Sequence, residues 1–203
     1  MASSAPNDFR DTKLDPDVLS THFRVQTNWH VITGASCSGK TTLIEQLASE
    51  GFKTVPEAGR RYFESELAKG RTINKIRENR TSYTCQVYEM MLKSERELHA
   101  TDVAFLDRAL PDGLAFFRIA GLNPNNILPD CFQNRYASVF ILNRLPYQRD
   151  GVRIADDTTA AYLDSWMSRD YRALGYHVIR VPVLPPEQRL AFVLERISGN
   201  GLK

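Results

Sequence analysis

Eight consecutive residues, Gly34-Ala35-Ser36-Cys37-Ser38-Gly39-Lys40-Thr41, carry the most specific chemistry in the chain. They fit G-x-x-x-x-G-K-[ST] at every fixed position, the pattern of a loop that cradles phosphate. Glycines let successive backbone N–H groups turn inward as an anion nest. A helix opening behind them aims its positive end at the same point. On this reading the run Gly34, Ala35, Ser36, Cys37, Ser38, Gly39, Lys40, Thr41 and Thr42 binds a nucleotide. Lys40 reaches the outer phosphates, and the Thr41 hydroxyl ligates magnesium. Cys37 contributes its backbone rather than its thiol.

A phosphate loop of this kind needs a carboxylate at the end of a neighbouring strand. Asp107 closes the apolar run Val103-Ala104-Phe105-Leu106 and is the candidate for magnesium. Its follower is Arg108, where a hydrolytic enzyme would place a glutamate to activate water. An arginine cannot act as that base but can grip phosphate or an acidic group. Glu57, in Val55-Pro56-Glu57-Ala58-Gly59-Arg60-Arg61, sits just past another strand-like run. The C-terminal ends of parallel strands open onto one crevice, so Glu57 is expected beside Lys40 and Asp107. There it would take or orient the proton of an attacking hydroxyl; the competing reading is a simple helix cap. Arg60 and Arg61 stand where a helix dipole disfavours cations, which suggests a nearby anion. Arg144, Arg149 and Arg153 follow a further strand, in a segment of about 144–157 that reads as a lid, with Arg149 and Arg153 the better phosphate ligands. Gln86 is a candidate acceptor ligand. Tyr83 and Tyr88 suit ring stacking or core, and Met90 and Met91 read as core. No histidine pairs with a suitable partner, so none is assigned a role.

The elements that must position these residues alternate. Strand-like runs lie at 29–33, 52–55, 103–106, 138–142 and 177–181. Helical patterns occupy 41–50, 111–120, 157–174 and 186–197, with a long charged stretch from 60 to about 99, broken near Gly70. Strand-helix alternation predicts an α/β, three-layer fold, with a five-stranded parallel sheet and helices on both faces. Residues 1–27 read as a flexible or loosely docked arm, with a short helix around 15–23 as the alternative; 28–203 form one domain. The chain has 203 residues, 42% hydrophobic and 25% charged, with a formal net charge of +2. That balance excludes a polybasic or a highly charged disordered chain. Three scattered cysteines exclude a disulfide framework and give no zinc spacing. No apolar run approaches membrane-spanning length, and the N-terminus lacks the apolar core of a secretory signal, so a cytoplasmic location is expected.

The stretch from Trp29 to Ile197 resembles the NadR-like AAA-type P-loop ATPase/kinase domain family. The resemblance rests on W-H-V-I-T-G-A-S-C-S-G-K-T-T-L-I, V-P-E-A-G-R-R, F-L-D-R-A-L-P-D, R-D-G-V-R, and L-G-Y-H-V-I-R-V-P with E-Q-R-L-A-F-V-L, in that order. The order Glu57, Gln86, Asp107-Arg108 and lid arginines is also similar to deoxynucleoside kinases. That similarity implies a base at Glu57 and handling of magnesium and phosphates by Asp107 and Arg108. The family implies a nucleoside- or nucleotide-kinase-like fold that uses ATP and Mg2+.

The expected function is therefore transfer of the ATP γ-phosphoryl to the hydroxyl of a small acceptor, a nucleoside, riboside or other small alcohol. One alternative is a nucleotide-hydrolysing regulatory ATPase or GTPase, against which stand Arg108 and the absence of DxxG and N-K-x-D motifs. The other is a nucleotide-binding scaffold using Arg60, Arg61, Arg71, Lys75, Arg77 and Arg80. Glu78 interrupts that run, which reads more simply as a solvated helix face, so nucleic acid is not a strong expectation. A homodimer is left open.

Overall fold

The computed structural model describes residues 9–36, 38–144 and 157–198, with the side chain of Arg77 excepted. In chain order the elements are α1 (Pro16–Leu19), β1 (Val25–Gln26), β2 (Trp29–Thr33), α2 (Lys40–Ser49) and β3 (Lys53–Val55). Next come α3 (Ala58–Ala68), α4 (Ile73–Glu78), α5 (Arg80–Arg96), β4 (Ala104–Asp107) and α6 (Asp112–Ile119). Two 3-10 turns over 124–132 lead into β5 (Asn134–Arg135), β6 (Ser138–Leu142), α7 (Asp157–Ala173), β7 (Val178–Val181) and α8 (Pro186–Ser198).

The continuous apolar runs become strands covered on both faces, and β2, β4 and β6 are buried at every position. Their period of two sends alternate residues to opposite layers. Val31, Leu106, Val139 and Ile141 join one core with residues of α5, α6 and α7. Ile32, Phe105, Phe140 and Leu142 join the other with Leu43, Leu47, Val193 and Ile197 of α2 and α8. The five strands are parallel in the order β3-β4-β2-β6-β7. β2 sits at the centre with β4 on one side and β6 on the other. The crevice beyond the C-terminal ends of β2 and β4 is where such sheets hold ligands.

Several boundaries shift by one residue. Asp107 is the last residue of β4 rather than the first beyond it, paired in register with Ile32. The long charged stretch does break at Gly70 (φ 81°), and it breaks again at Asn79, whose side chain accepts from the Ser82 amide to open α5.

The arm was expected to be flexible or loosely docked. From residue 9 it lies against the domain; residues 1–8 are outside the described set. Leu14, Val18, Leu19 and Phe23 pack on the larger core, as the short-helix alternative requires. β1 adds to β5 as a two-stranded parallel ribbon that sequence patterning did not reveal. The Thr12 carbonyl accepts from Arg118 Nε at 2.9 Å, and Arg118 is itself bidentate on Asp170 at 2.6 and 3.0 Å.

Glu95, at the end of α5, is a buried carboxylate away from the crevice. It accepts from the Tyr136 hydroxyl (2.8 Å), Asn134 Nδ2 (3.1 Å) and the Leu110 amide (3.3 Å). Burial pushes its pKa up to about 7, further than these bonds pull it down. The folded state therefore keeps a proton that the unfolded state has lost, so Glu95 lowers stability as pH rises from the ordinary carboxylate range to about 7. Relative to wild type, Glu95→Gln should gain roughly 3 kcal/mol between pH 4 and 8 in urea denaturation. A stability difference independent of pH would show that folding does not shift the Glu95 pKa.

Candidate functional site

The phosphate loop leaves β2 at Gly34, whose φ is 139°. A Cβ there would lie 2.8 Å from the Leu142 carbonyl, so the turn admits no side chain. At Gly39 (φ 88°) a Cβ would collide with Arg189 Nη1. That guanidinium comes from α8, donating from Nη1 to the Ser38 carbonyl and from Nε to the Leu184 carbonyl, both at 2.8 Å. Arg189 thus ties the C-terminal helix to the phosphate loop. Lys40 is buried and donates to the Ala35 carbonyl at 2.9 Å. Burial, and next the nearby Arg108 charge, push its pKa down to about 8. Thr41 is half-buried at the start of α2, Thr42 is exposed, and Ser38 Oγ is buried without a partner among the described residues. Cys37 lies outside the described residues.

Asp107 reaches the same crevice. Its Oδ1 is buried and accepts no hydrogen bond from the described residues, and burial pushes its pKa up to about 6. A buried carboxylate oxygen without a donor is what a cation site leaves in the protein alone. With the Thr41 hydroxyl at the head of α2, these hard oxygen donors suit magnesium. Asp107→Asn removes the buried charge, so its melting temperature at pH 8 should equal or exceed wild type. Magnesium-dependent nucleotide binding should weaken much more than magnesium-free binding in paired calorimetric titrations. An unchanged magnesium dependence would remove Asp107 from the metal site.

Arg108 has φ 74°, the only positive φ of a non-glycine among the described residues. Such a conformation costs an L-residue free energy and persists only where the surroundings enforce it. Its amide donates to the Ile32 carbonyl at 3.1 Å, and its side chain is buried. Nε donates to Glu57 Oε1 at 3.0 Å, and the guanidinium lies 5.1 Å from the Phe116 ring centre. Glu57 occupies the N-cap position of α3 but makes no side-chain cap bond. Burial alone would raise its pKa; the Arg108 and Lys40 charges outweigh that and hold it below the ordinary value. The capping alternative is therefore not what the side chain does.

Between α3, α5 and α6 lies a cleft of about 180 Å³, lined among others by Ser36, Glu57, Tyr83, Tyr88, Arg108 and Phe116. It meets the phosphate loop at Ser36. On α5 the helical period brings Thr84, Val87, Tyr88 and Met91 to this cleft. The same period turns Gln86 away: it is exposed and lines a separate depression with Tyr62, Glu66, Arg71 and Met90. Gln86 is thus not brought to the acceptor cleft, because it lies two residues, some 200° of helix, from Thr84. Met91 packs against the core, whereas Met90 belongs to that depression.

Arg60 and Arg61 are exposed at the start of α3, and neither lines the cleft. Arg61 donates to Ser94 Oγ at 3.1 Å, and the Arg60 charge acts on Glu57. Arg144 pairs with Asp157. Arg149 and Arg153 lie outside the described residues. The structure brings together Gly34, Ser38, Lys40, Glu57, Asp107 and Arg108. It adds three residues that sequence reasoning missed: Asp112, Phe116 and Arg189. In the sequence Asp112 and Phe116 fall within the helical pattern of 111–120 and Arg189 within that of 186–197, with nothing local to give any of them a role.

A family model for the AAA domain matches residues 29–189. No curated protein matches the sequence. Among solved structures, the chain is similar to a NadR protein in complex with NR (TM-score 0.64, 16% identity), covering 87% of this chain and 53% of that one. The chain thus spans about half the length of that NadR protein. It is also similar to deoxyadenosine kinase from M. mycoides (TM-score 0.60, 13% identity), covering 85% of this chain and 100% of that one. A third likeness is to shikimate kinase from Acinetobacter baumannii (TM-score 0.53, 18% identity), covering 87% and 96%. These likenesses are of fold. No helix among the described residues is long and apolar enough to cross a membrane. A glycine-built phosphate cradle at the central strand, a buried acid on the next strand and a family match across both leave one assignment: the chain belongs to the AAA domain family, in the P-loop fold it shares with NadR and small-molecule kinases.

Proposed function

We propose that this chain is a small-molecule kinase that moves the γ-phosphoryl of ATP to the hydroxyl of a nucleoside, a riboside or another small alcohol. The observation that carries this reading is the position of Glu57. Its carboxylate stands at the junction of the phosphate loop and a cleft walled by Tyr83, Tyr88 and Phe116. Held in its ionised form by Arg108, Glu57 is ready to accept a hydrogen bond from an acceptor hydroxyl. As the acceptor oxygen bonds to phosphorus, the bond from phosphorus to the departing ADP oxygen breaks, and the hydroxyl proton passes to Glu57. Lys40, the loop amides and Arg108 face the charge that develops on the transferred group. Magnesium, held by Asp107 and Thr41, would neutralise phosphate charge when bound.

Deoxyadenosine kinase from M. mycoides and shikimate kinase from Acinetobacter baumannii share this fold, which supports the reaction class without naming the acceptor. The test is ADP release from radiolabelled ATP, measured against nucleosides, ribosides and small alcohols. Acceptor-dependent release with a labelled phosphorylated product is the expected result. Equal release with and without every acceptor would make the chain a hydrolase instead.

A further inference from the structure

Arg108 faces two carboxylates, and the reaction proposed above uses only one of them. The second is Asp112, the first residue of α6 and fully buried. Its Oδ2 accepts from the Ala109 amide and from the Tyr171 hydroxyl, both at 2.9 Å. Its Oδ1 accepts a short hydrogen bond from the Thr33 hydroxyl and lies 3.8 Å from Arg108 Nη1. Arg108 Nη1 in turn donates to Thr33 Oγ1 at 3.5 Å. Thr33 is the last residue of β2, directly before Gly34 of the phosphate loop. Three elements therefore fix one carboxylate: β2 through Thr33, the β4–α6 turn through Ala109, and α7 through Tyr171.

We propose that Asp112 is a positioning residue: it holds the Arg108 guanidinium at the head of the acceptor cleft, through Thr33, when Glu57 turns to an acceptor hydroxyl. The role given to Glu57 rests on the kinase reading; the hold on Arg108 does not. An acceptor that takes a hydrogen bond from Glu57 competes with Arg108 for the same oxygens. A buried guanidinium that lost its Glu57 partner would, with nothing else to hold it, move toward water or toward Asp107, whose charge also acts on it. Asp112 prevents this because it has no freedom of its own, each oxygen being held by protein donors. The strained backbone of Arg108 has the same cause: φ 74° places the side chain between the two carboxylates, and the paired charges offset the strain. A plain helix-start role would account for the Ala109 bond but not for Thr33 between Asp112 and Arg108.

The test uses Asp112→Asn and Thr33→Val, the second removing the hydroxyl bridge while leaving Asp112 and a β-branched strand residue. Two readouts are taken on each. The first is rotation of the Arg108 guanidinium about Nε–Cζ, from exchange between its Nη signals in side-chain 15N NMR. Held Nη groups rotate slowly, and both variants should rotate roughly tenfold faster or more, the scale of a lost charge-assisted hydrogen bond. The second is steady-state kinetics with an acceptor found in the screen. Acceptor KM should rise roughly tenfold while KM for ATP stays near wild type.

Unchanged rotation in the folded variants overturns the proposal, and if Asp112→Asn does not fold, Thr33→Val alone decides it. Faster rotation with an unchanged acceptor KM also overturns it, because Arg108 then moves without consequence for the acceptor. If no acceptor supports ADP release, the kinase reading fails, and the NMR result still decides whether Asp112 holds Arg108.

Discussion

Lys40→Ala should lower nucleotide turnover by roughly 100- to 1,000-fold, the scale of losing one preorganised donor to a developing charge. The same variant should keep, or slightly raise, the melting temperature. Lys40 is buried, and its only hydrogen bond among the described residues is to the Ala35 carbonyl. Its lowered pKa says that burial costs the charged form more than its neighbours return. Removing it deletes a buried cation whose favourable partner, phosphate, arrives only with the nucleotide. Single-turnover assays beside thermal melting check both halves. Wild-type turnover in the variant would mean that the loop does not hold the reacting phosphates. A large fall in melting temperature would mean that Lys40 serves the fold.

Glu57→Gln should lower kcat for phosphoryl transfer by roughly 100-fold, the lower end of what a lost general base costs. The loose transition state of phosphoryl transfer asks little of a base, which is why the lower end is expected. Nucleotide binding should barely change, since Lys40 and the loop hold the phosphates without Glu57. Stability should change little, because the glutamine oxygen still accepts from Arg108 Nε and the carboxylate makes no cap bond to α3. Glu57 itself should stay ionised into the acidic range, because its pKa is held down. A fall in the wild-type rate near pH 6 would therefore report protonation of Asp107 rather than of Glu57. A variant with a normal rate and a lowered melting point would make Glu57 structural.

What the sequence alone determined follows from short-range rules. G-x-x-x-x-G-K-[ST] has one backbone solution, because the glycines must take positive φ and the lysine must open a helix. The structure has Gly34 at 139°, Gly39 at 88° and Lys40 at the start of α2. The unbroken apolar runs that became β4 and β6 have one burial solution, a strand covered on both faces. The partly exposed edge strands β3 and β7 were legible from their place in the strand–helix alternation. Glu57 and Asp107 were legible because parallel strands end on one side of the sheet.

What only the tertiary structure decided depends on angle and on distant partners. Gln86 looked as eligible as Tyr88 until the rotation of α5 against α3 turned it outward. Residues 14–23 bury apolar side chains only against a surface assembled from residues far along the chain, so local pattern could not separate a free arm from a docked one. Asp112 and Arg189 lie in stretches that carry the family resemblance, but nothing local marks them for a role. Each gains its role from a contact across the fold, with Thr33 79 residues away and with Ser38 151 residues away. Periodicity reports which face of an element is buried. It does not report which charge waits on the other side.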